Sequence, residues 1–484
     1  MRISTWIAAA TTLFASCGGT VTRAGSARGV LIIAVEALRA DHVSCYGYDR
    51  ATTPELDALA RDGVRFEQAF SPAPWVLPAT VALLSGCDPL IARRVLPADV
   101  PPTIPTLWHV PKEAPHLAQE LLRNGYDTAA FLDSALLGPS FGFARGFQEF
   151  QGPSMDRPVV ADEQGTPGVF ERFRHWLDER EPDANWFAFV QLSALDRTWS
   201  EHDAAAERFF EPRAELERVP PIADAGHTYF AVARHRWPGG MFTLGEYEAK
   251  YDGALHKLDG ALGRLLRDLR ASGHYDDTTI VFVATNGIGF GESGLYLESG
   301  MLTDVDLHVP FVIKPAGRVE CLRGSATRPL ASLLDLAPTI LALEGIPAPS
   351  DMQGVSLAPA LHDDQPDLRR FLFAGQGCQY GASVIGQRWC FESTEPWRSD
   401  DGGLVYSWYG GEPPANPLPR EVLHDRANDA SVGHAQSAPF DAELIATMRA
   451  AAQRWNADVE RLRRRLSPAE WNAAPSSAPE APVR

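Results

Sequence analysis

Residues 29–86 decide the fold, and they read GVLIIAVEALRADHVSCYGYDRATTPELDALARDGVRFEQAFSPAPWVLPATVALLSG. Residues 30–35 form an unbroken aliphatic run, which is typical of a strand buried on both faces of a parallel sheet. Glu36 follows this run, at the end of the strand where open α/β sheets build their sites. Thr53 and Pro54 predict the start of a helix that ends at Gly63. A second helix is expected after Pro78, at residues 79–85, with Gly86 at its end.

The rest of the chain repeats this alternation of buried strands and amphipathic helices. Residues 247–269 carry leucines three and four positions apart, which predicts the longest helix. A large α/β domain follows from this pattern, with a mostly parallel sheet, helices on both faces and a smaller C-terminal α+β subdomain. Its expected strands include residues 30–35, 128–132, 186–192, 279–285 and 309–314.

Three motifs resemble those of the sulfatase family, within the alkaline phosphatase superfamily. They are LRADHVSCYGY, TTPELDALARDGVRFEQAFS and LPATVALLSG, and they occur in the family's order and spacing. The segment YDGALHKLDGALGRLLRDLRASGHYDDTTIVFVAT at 251–285 matches the family pattern almost throughout. The resemblance covers residues 29–435 and implies the family's fold, with strands 30–35 and 279–285 as neighbours ending at one pocket.

The same resemblance indicates that the family's nucleophile is missing. Sulfatases carry a Cys or Ser two residues before a proline, in a C-x-P-S-R pattern, and that proline matches Pro78. The nucleophile position is therefore Val76 and the arginine position is Thr80. A valine cannot become a formylglycine and cannot attack sulfur or phosphorus.

Other expected site positions are also changed. The first metal pair is Glu36-Ala37, and the second strand ends in Thr285-Asn286, where the family has Asp followed by Asn or His. Two family histidines are replaced by Ser293 and Ser299. The positions that hold the substrate's charged group in the family read Gln191, Ala194, Leu195 and Asp196.

A working sulfatase needs a divalent cation held by several oxygen ligands. Here only Glu36 and Asn286 keep ligand atoms, so they are vestigial metal positions, and no cofactor is expected unless an active site binds Ca²⁺ or Mg²⁺. Two alternatives stay open. Glu36 is equally well explained as a helix cap or as a salt-bridge partner of Arg39. A displaced set of acids would instead rebuild the site, namely Asp41, Glu292, Asp304 and Asp306.

The N-terminus predicts export. An apolar run at residues 6–14 is too short to span a bilayer but suits a signal peptide. It leads to Leu13-Phe14-Ala15-Ser16-Cys17, which resembles a bacterial lipoprotein box with Cys17 as the lipidated residue. The alternative is an ordinary secretory signal, and both versions export the protein to the periplasm or cell surface.

The net charge and the cysteines limit the partners and the cellular compartment expected for this protein. The formal charge is −18, which argues against nucleic acid. A disulfide between Cys378 and Cys390 would suit an oxidising compartment, and buried free thiols are the alternative. The expected domains are a signal segment at 1–17, a sulfatase-like domain at 29–368, a C-terminal subdomain at 369–466 and a disordered tail at 467–484.

Two functions therefore compete. The first is a non-catalytic sulfatase-fold protein, a pseudoenzyme, that is anchored to a membrane by lipid and acts by binding an unidentified ligand or protein. The second is a hydrolase or transferase that acts on sulfate or phosphate esters through an atypical site. The joint loss of nucleophile, metal ligands and basic side chains favours the first.

Overall fold

The structure is a computed structural model that describes residues 28–91, 93–95, 107–153, 165–195, 204–211, 219–220, 222–223, 232–233, 242–292, 296–363, 368–375, 382–393, 421–426 and 442–466. Cys17, Asp196, Ser293 and Cys378 lie outside these residues. Their predicted roles therefore remain predictions.

The β-strands of the described residues are numbered in chain order. They are β1 (Gly29–Val35), β2 (Val64–Phe66), β3 (Ala69–Phe70), β4 (Arg93–Val95), β5 (Leu107–His109), β6 (Asp127–Leu132), β7 (Glu149–Gln151), β8 (Trp186–Leu192), β9 (Ile222–Ala223), β10 (Val232–Ala233), β11 (Thr278–Ala284), β12 (Gly289–Phe290), β13 (Tyr296–Glu298), β14 (Phe311–Lys314), β15 (Ser325–Thr327), β16 (Ala331–Ser332), β17 (Leu372–Gly375), β18 (Ala382–Ile385), β19 (Trp389–Ser393) and β20 (Glu421–Asp425).

The α-helices are numbered in the same way. They are α1 (Pro54–Asp62), α2 (Val76–Ser85), α3 (Leu117–Arg123), α4 (Gly165–Asp178), α5 (Ala204–Phe209), α6 (Leu244–Ala271), α7 (Asp304–Leu307), α8 (Leu336–Leu343) and α9 (Ala442–Leu466). Among the described residues, no helix is both long and apolar enough to cross a membrane.

The centre of the molecule is an eight-stranded sheet in the order β15-β2-β14-β11-β1-β8-β6-β7. Strand β1 runs parallel to β11 on one side and to β8 on the other, with Val35 level with Ala284 and Leu192. All residues of β1, β8 and β11 are buried, as their continuous apolar runs predict. The predicted fold class and the pairing of β1 with β11 are therefore confirmed.

Strand boundaries differ slightly from the sequence predictions. Strand β11 ends at Ala284, so Thr285 lies just beyond the strand. The strand expected at 309–314 is β14, which begins at Phe311 and pairs with β11 in the antiparallel direction. The sheet is therefore mostly, but not wholly, parallel.

The helices pack in two groups around the sheet. Helix α6 contacts α1, α4 and α5, while α2 contacts α3 and α8. Helix α6 is longer at both ends than its leucine pattern predicted, because Thr243 and Glu246 form a capping box at its start. Inside this group, Asp259 accepts hydrogen bonds from the Glu55 and Leu56 amides and so caps α1.

Helix α2 begins three residues earlier than the sequence predicted, at Val76 rather than at Ala79. Pro78 does not prevent this, because the first turn of a helix has no internal partner for its N–H groups. Gly86 ends the helix in the left-handed conformation, with φ of 65°. Every residue of α2 is buried, so it is a core helix.

The C-terminal part is an antiparallel sheet in the order β17-β18-β19-β20 with α9 packed on it. Met448 of α9 packs with Val384 and Leu423 of the sheet. Trp455 stacks on Phe373 and donates its indole N–H to Asp88, 2.7 Å away, which joins α9 to the main domain. This agrees with an α+β C-terminal region, although its predicted boundary at residue 369 stays a prediction.

Candidate active site

Four neighbouring strands end at one edge of the central sheet. Because Val35, Ala284 and Leu192 are level in the sheet, the residues after β1, β11 and β8 emerge side by side. These residues are Glu36, Thr285 and Ser193. Strand β6 pairs with β8 in the same direction, which adds Asp133 to this edge. The carboxyl end of an open α/β sheet is where such folds place their sites.

A hydrogen-bond network joins the residues that follow β1, β8 and β6. The Ser193 hydroxyl donates to Glu36 Oε2 at 2.7 Å, and the Ser193 amide donates to Asp133 Oδ2 at 3.2 Å. Gln191 donates its side-chain amide to the Ser193 hydroxyl oxygen at 2.9 Å. Sequence reasoning missed Ser193 and Asp133 because their meeting depends on the register of β8 between β1 and β6.

On the other side of β1, the Thr285 and Asn286 side chains form a hydrogen bond with each other. The Thr285 hydroxyl donates to Asn286 Oδ1 at 2.9 Å, and the Asn286 side-chain amide donates to the Gly287 carbonyl at 2.8 Å. Both residues are buried. The amide oxygen that would serve as a metal ligand is thus turned toward a neighbouring hydroxyl.

Val76 and Thr80 lie on the first turns of α2. The Val76 side chain is only 1% exposed and belongs to the main hydrophobic core. Thr80 is fully buried, and its hydroxyl donates to the Val76 carbonyl at 2.7 Å. Neither position presents a polar atom to an incoming substrate.

Ala37 has a left-handed backbone, with φ of 61°, which is uncommon for a residue with a β-carbon. Tyr251 of α6 holds this conformation. Its hydroxyl donates to the Ala37 carbonyl at 2.7 Å and accepts the Arg39 amide at 3.0 Å. A non-glycine residue in this conformation persists because surrounding contacts fix it, and such sites are often functional.

Arg39 binds two loop acids rather than Glu36. Its guanidinium lies 2.7 Å from Asp41 and 2.6 Å from Glu292, so the expected pairing with Glu36 is corrected. Burial opposes ionisation of Glu292, but Arg39 outweighs it and lowers the pKa of that carboxyl. Asp41 and Glu292 are therefore structural partners of an arginine.

The remaining two acids of the expected rebuilt set are also engaged. Asp304 pairs with Arg426 at 2.8 Å. Asp306 Oδ2 accepts the amides of Gly300 and Met301 at 3.1 and 2.6 Å. Burial raises the Asp306 pKa to about 7, more than these hydrogen bonds and Arg39 lower it.

The shifted pKa of Asp306 predicts a pH-dependent stability. The folded state binds a proton at Asp306 more tightly than the unfolded chain does, so this group lowers the free energy of unfolding as pH rises from about 4 to about 7. Asp306→Asn cannot titrate. Relative to the wild type, it should gain stability across that window, by at most about 1.4 kcal/mol per pH unit.

Urea unfolding of both proteins between pH 4.5 and 7.5 measures this difference. Asp276→Asn is the matched control, because it removes one carboxylate at an exposed position. A stability difference between Asp306→Asn and wild type that stays constant with pH would contradict the prediction.

A second polar group, the Asp252 cluster, consists of His42, Tyr48, Arg50, Glu248 and Asp252. Asp252 is fully buried and contacts His42 Nδ1 at 2.8 Å, the Tyr48 hydroxyl at 2.7 Å and Arg50 at 2.7 Å. One ligand atom each from His42, Glu248 and Asp252 would lie within 4.8 Å of the others, as a metal site requires. The guanidinium of Arg50 supplies a cation to these carboxylates, but Glu248 Oε2 and Arg50 Nε are buried without a hydrogen-bond partner among the described residues, so the cluster keeps a carboxylate oxygen that a cation could use.

The expected substrate-holding positions carry no basic side chain in the described part of the chain. Gln191 and Leu195 are buried, Ala194 is half-buried, and Ser299 lies half-buried after β13. Gln191 instead serves the Ser193 network. The positions that would bind an anion are thus neutral where the structure describes them.

The sheet order and the site at its carboxyl edge define the class of alkaline phosphatase-like α/β proteins. The sulfatase family model matches residues 28–346, and the chain therefore belongs to the sulfatase family. Human arylsulfatase A is 26% identical over 383 residues, which cover 71% of this chain and 69% of that protein. N-acetylgalactosamine-6-sulfatase from Canis lupus familiaris is 26% identical over 392 residues, which cover 74% and 70%.

Solved structures agree on the fold. Phosphonate monoester hydrolase of Agrobacterium radiobacter superposes with a TM-score of 0.63 at 21% identity, covering 91% of this chain and 96% of that one. Phosphonate monoester hydrolase from Silicibacter pomeroyi gives a TM-score of 0.64 at 20% identity, covering 89% and 95%.

Proposed function

We propose that this protein is a non-catalytic member of the sulfatase family that acts by binding, not by turnover. One observation carries the proposal. The position that matches the family's nucleophile, Val76, is a core side chain that is 1% exposed. No hydroxyl or thiol is available there, and catalysis by covalent attack needs one.

The metal ligands support the same proposal. Ca²⁺ takes six to eight oxygen ligands, and Mg²⁺ takes six, of which several are waters and one or two are protein carboxylates. Here Ala37 offers no side-chain oxygen, and the Glu36 carboxylate already accepts the Ser193 hydroxyl. Asn286 Oδ1 accepts the Thr285 hydroxyl. This donor set does not fit the family's divalent cation, and no step of a reaction is derived through one.

A second candidate is ester hydrolysis through an atypical site. Ser193 favours it, because a serine hydroxyl 2.7 Å from a carboxylate is the beginning of a nucleophile–base pair. Against it, Ser193 is buried and its amide and hydroxyl are both engaged. The first candidate therefore has the stronger support.

Turnover assays distinguish the two candidates. We expect no hydrolysis of p-nitrophenyl sulfate, phosphate or phosphodiesters above background, with or without Ca²⁺, Mg²⁺, Mn²⁺ or Zn²⁺. The metals should also leave the melting temperature unchanged, since a ligand that binds only the folded state would raise it. Metal-dependent turnover that disappears in Glu36→Ala would reject the proposal, and loss in Ser193→Ala would identify the nucleophile.

Export and a lipid anchor at Cys17 are part of the proposal. Their support is the apolar run at residues 6–14 followed by Ala15-Ser16-Cys17. We expect globomycin to block processing of the precursor, and Cys17→Ala to lose membrane fractionation. Unchanged processing with a soluble secreted product in Cys17→Ala would reject the anchor while leaving export intact.

A further inference from the structure

A cleft lies between the C-terminal sheet, helix α9 and the main domain, away from the candidate active site. It encloses about 520 Å³, which falls in the range of small-molecule pockets. Leu330 comes from the main domain, Phe371 precedes β17, Arg388 lies in the turn between β18 and β19, and Leu444 and Met448 come from α9. Three parts of the chain therefore build one cleft.

The floor of the cleft is apolar. Leu330 and Met448 are almost completely buried, and they belong to two separate hydrophobic clusters. Phe371 and Leu444 are half-buried and pack against the hydrophobic cluster that contains Met448. An alkyl or aryl group placed here would lose part of its contact with water, which favours binding.

The rim of the cleft is cationic. Arg370 and Arg388 line it and are both exposed, and the neighbouring Gln387 also lines it. The Arg370 guanidinium carbon lies 5.0 Å from the Phe371 ring centroid, so its charge is held over the apolar wall. Arg388 takes part in a further interaction of its own.

A third arginine at the cleft, Arg369, is not available to a ligand. Its guanidinium pairs with Asp335, whose side chain is fully buried. This pair fixes the chain just before Arg370 against the core of the main domain. The backbone that carries Arg370 is thus held in place, which lowers the entropy lost when the Arg370 side chain is ordered by a ligand.

We propose that this cleft binds a small amphipathic anion, with an alkyl or aryl group on the floor and a sulfate, phosphate or carboxylate at Arg370. Charge complementarity singles out an anion, because a protein of net charge −18 repels anions elsewhere on its surface. The cleft volume fits a small molecule rather than a folded partner. The proposal goes beyond the proposed function by naming a second site and its ligand class, and it does not depend on whether the Glu36 site is catalytic.

Calorimetric titration of the full-length protein tests the proposal with decyl sulfate below its micelle concentration. Decyltrimethylammonium is the matched probe, with the same chain and the opposite charge. We expect saturable binding of decyl sulfate at one site and at least tenfold weaker binding of the cation. Arg370→Gln should weaken decyl sulfate binding at least tenfold, and Leu444→Asn should weaken it severalfold through the apolar floor.

Arg323→Gln is the control, because Arg323 is an exposed arginine that does not line the cleft. Equal affinity for the two probes, or unchanged binding in Arg370→Gln, would overturn the proposal. Absence of saturable binding would also overturn it. Circular dichroism of each variant confirms that it is folded, and ester turnover is scored separately.

Discussion

Replacing Asp252 by alanine is expected to lower the free energy of unfolding by about 3–5 kcal/mol. The Asp252 side chain is fully buried and contacts Arg50 and His42 within 2.8 Å. The Arg50 side chain is only 7% exposed, so its charge would lose its closest partner in a place that water barely reaches. Glu248, at 3.7 Å from Arg50, compensates only in part.

A double-mutant cycle tests whether the unpaired charge of Arg50 causes this loss of stability. Arg50→Met removes the stranded charge, so adding Asp252→Ala to it should cost less than Asp252→Ala costs alone. Urea unfolding gives both values from the transition midpoint and its slope. A loss below about 1 kcal/mol in Asp252→Ala, or strict additivity in the double variant, would show that the cluster is not a buried ion pair in solution.

Restoring a nucleophile by Val76→Cys is expected to give no measurable turnover. In enzymes, removing one member of a catalytic unit costs on the order of 10⁴-fold or more in rate, and the members do not act independently. At this site Ala37 and Thr285 lack carboxylates, and Thr80 lacks a charge. A thiol alone would therefore have no metal to activate it and no cation to hold the ester.

The state of the new thiol provides a readout besides activity. Position 76 is buried in the core, so the Val76→Cys thiol should be unreactive toward a disulfide reagent in the folded protein and reactive after unfolding. Val76→Ala is the matched control for activity, since it adds no nucleophile. Turnover in Val76→Cys that Val76→Ala lacks would mean that the rest of the site is functional.

Local sequence pattern determined the elements of this fold. The all-buried strand β1 follows from six consecutive apolar residues, and helix α6 follows from leucines at three- and four-residue spacing. Both signals are short-range and need no knowledge of the rest of the chain. The end of α2 at Gly86 was equally local, because glycine adopts the left-handed backbone there without strain.

The start of α2, in contrast, could not be predicted from the local sequence. Pro78 suggested a helix beginning at Ala79, whereas the helix begins at Val76. Burial of every residue of α2 in the core favours the additional turn, and a proline in that first turn costs no helical hydrogen bond. Packing in the core thus extended α2 by one turn beyond the start that the local sequence predicted.

The sequence by itself determined the family, the parallel sheet and the residue types at each expected site position, because motifs and the spacing of apolar residues are local features of the chain. Only the tertiary structure decided which polar groups meet. Ser193 reaches Glu36 across 157 residues, and Asp252 reaches His42 across 210. Glu36 and Arg39 are neighbours in sequence, yet Arg39 binds Glu292 instead. The reason is physical: a buried polar group takes the partner that strand register and helix packing bring within hydrogen-bond distance, whatever its separation along the chain.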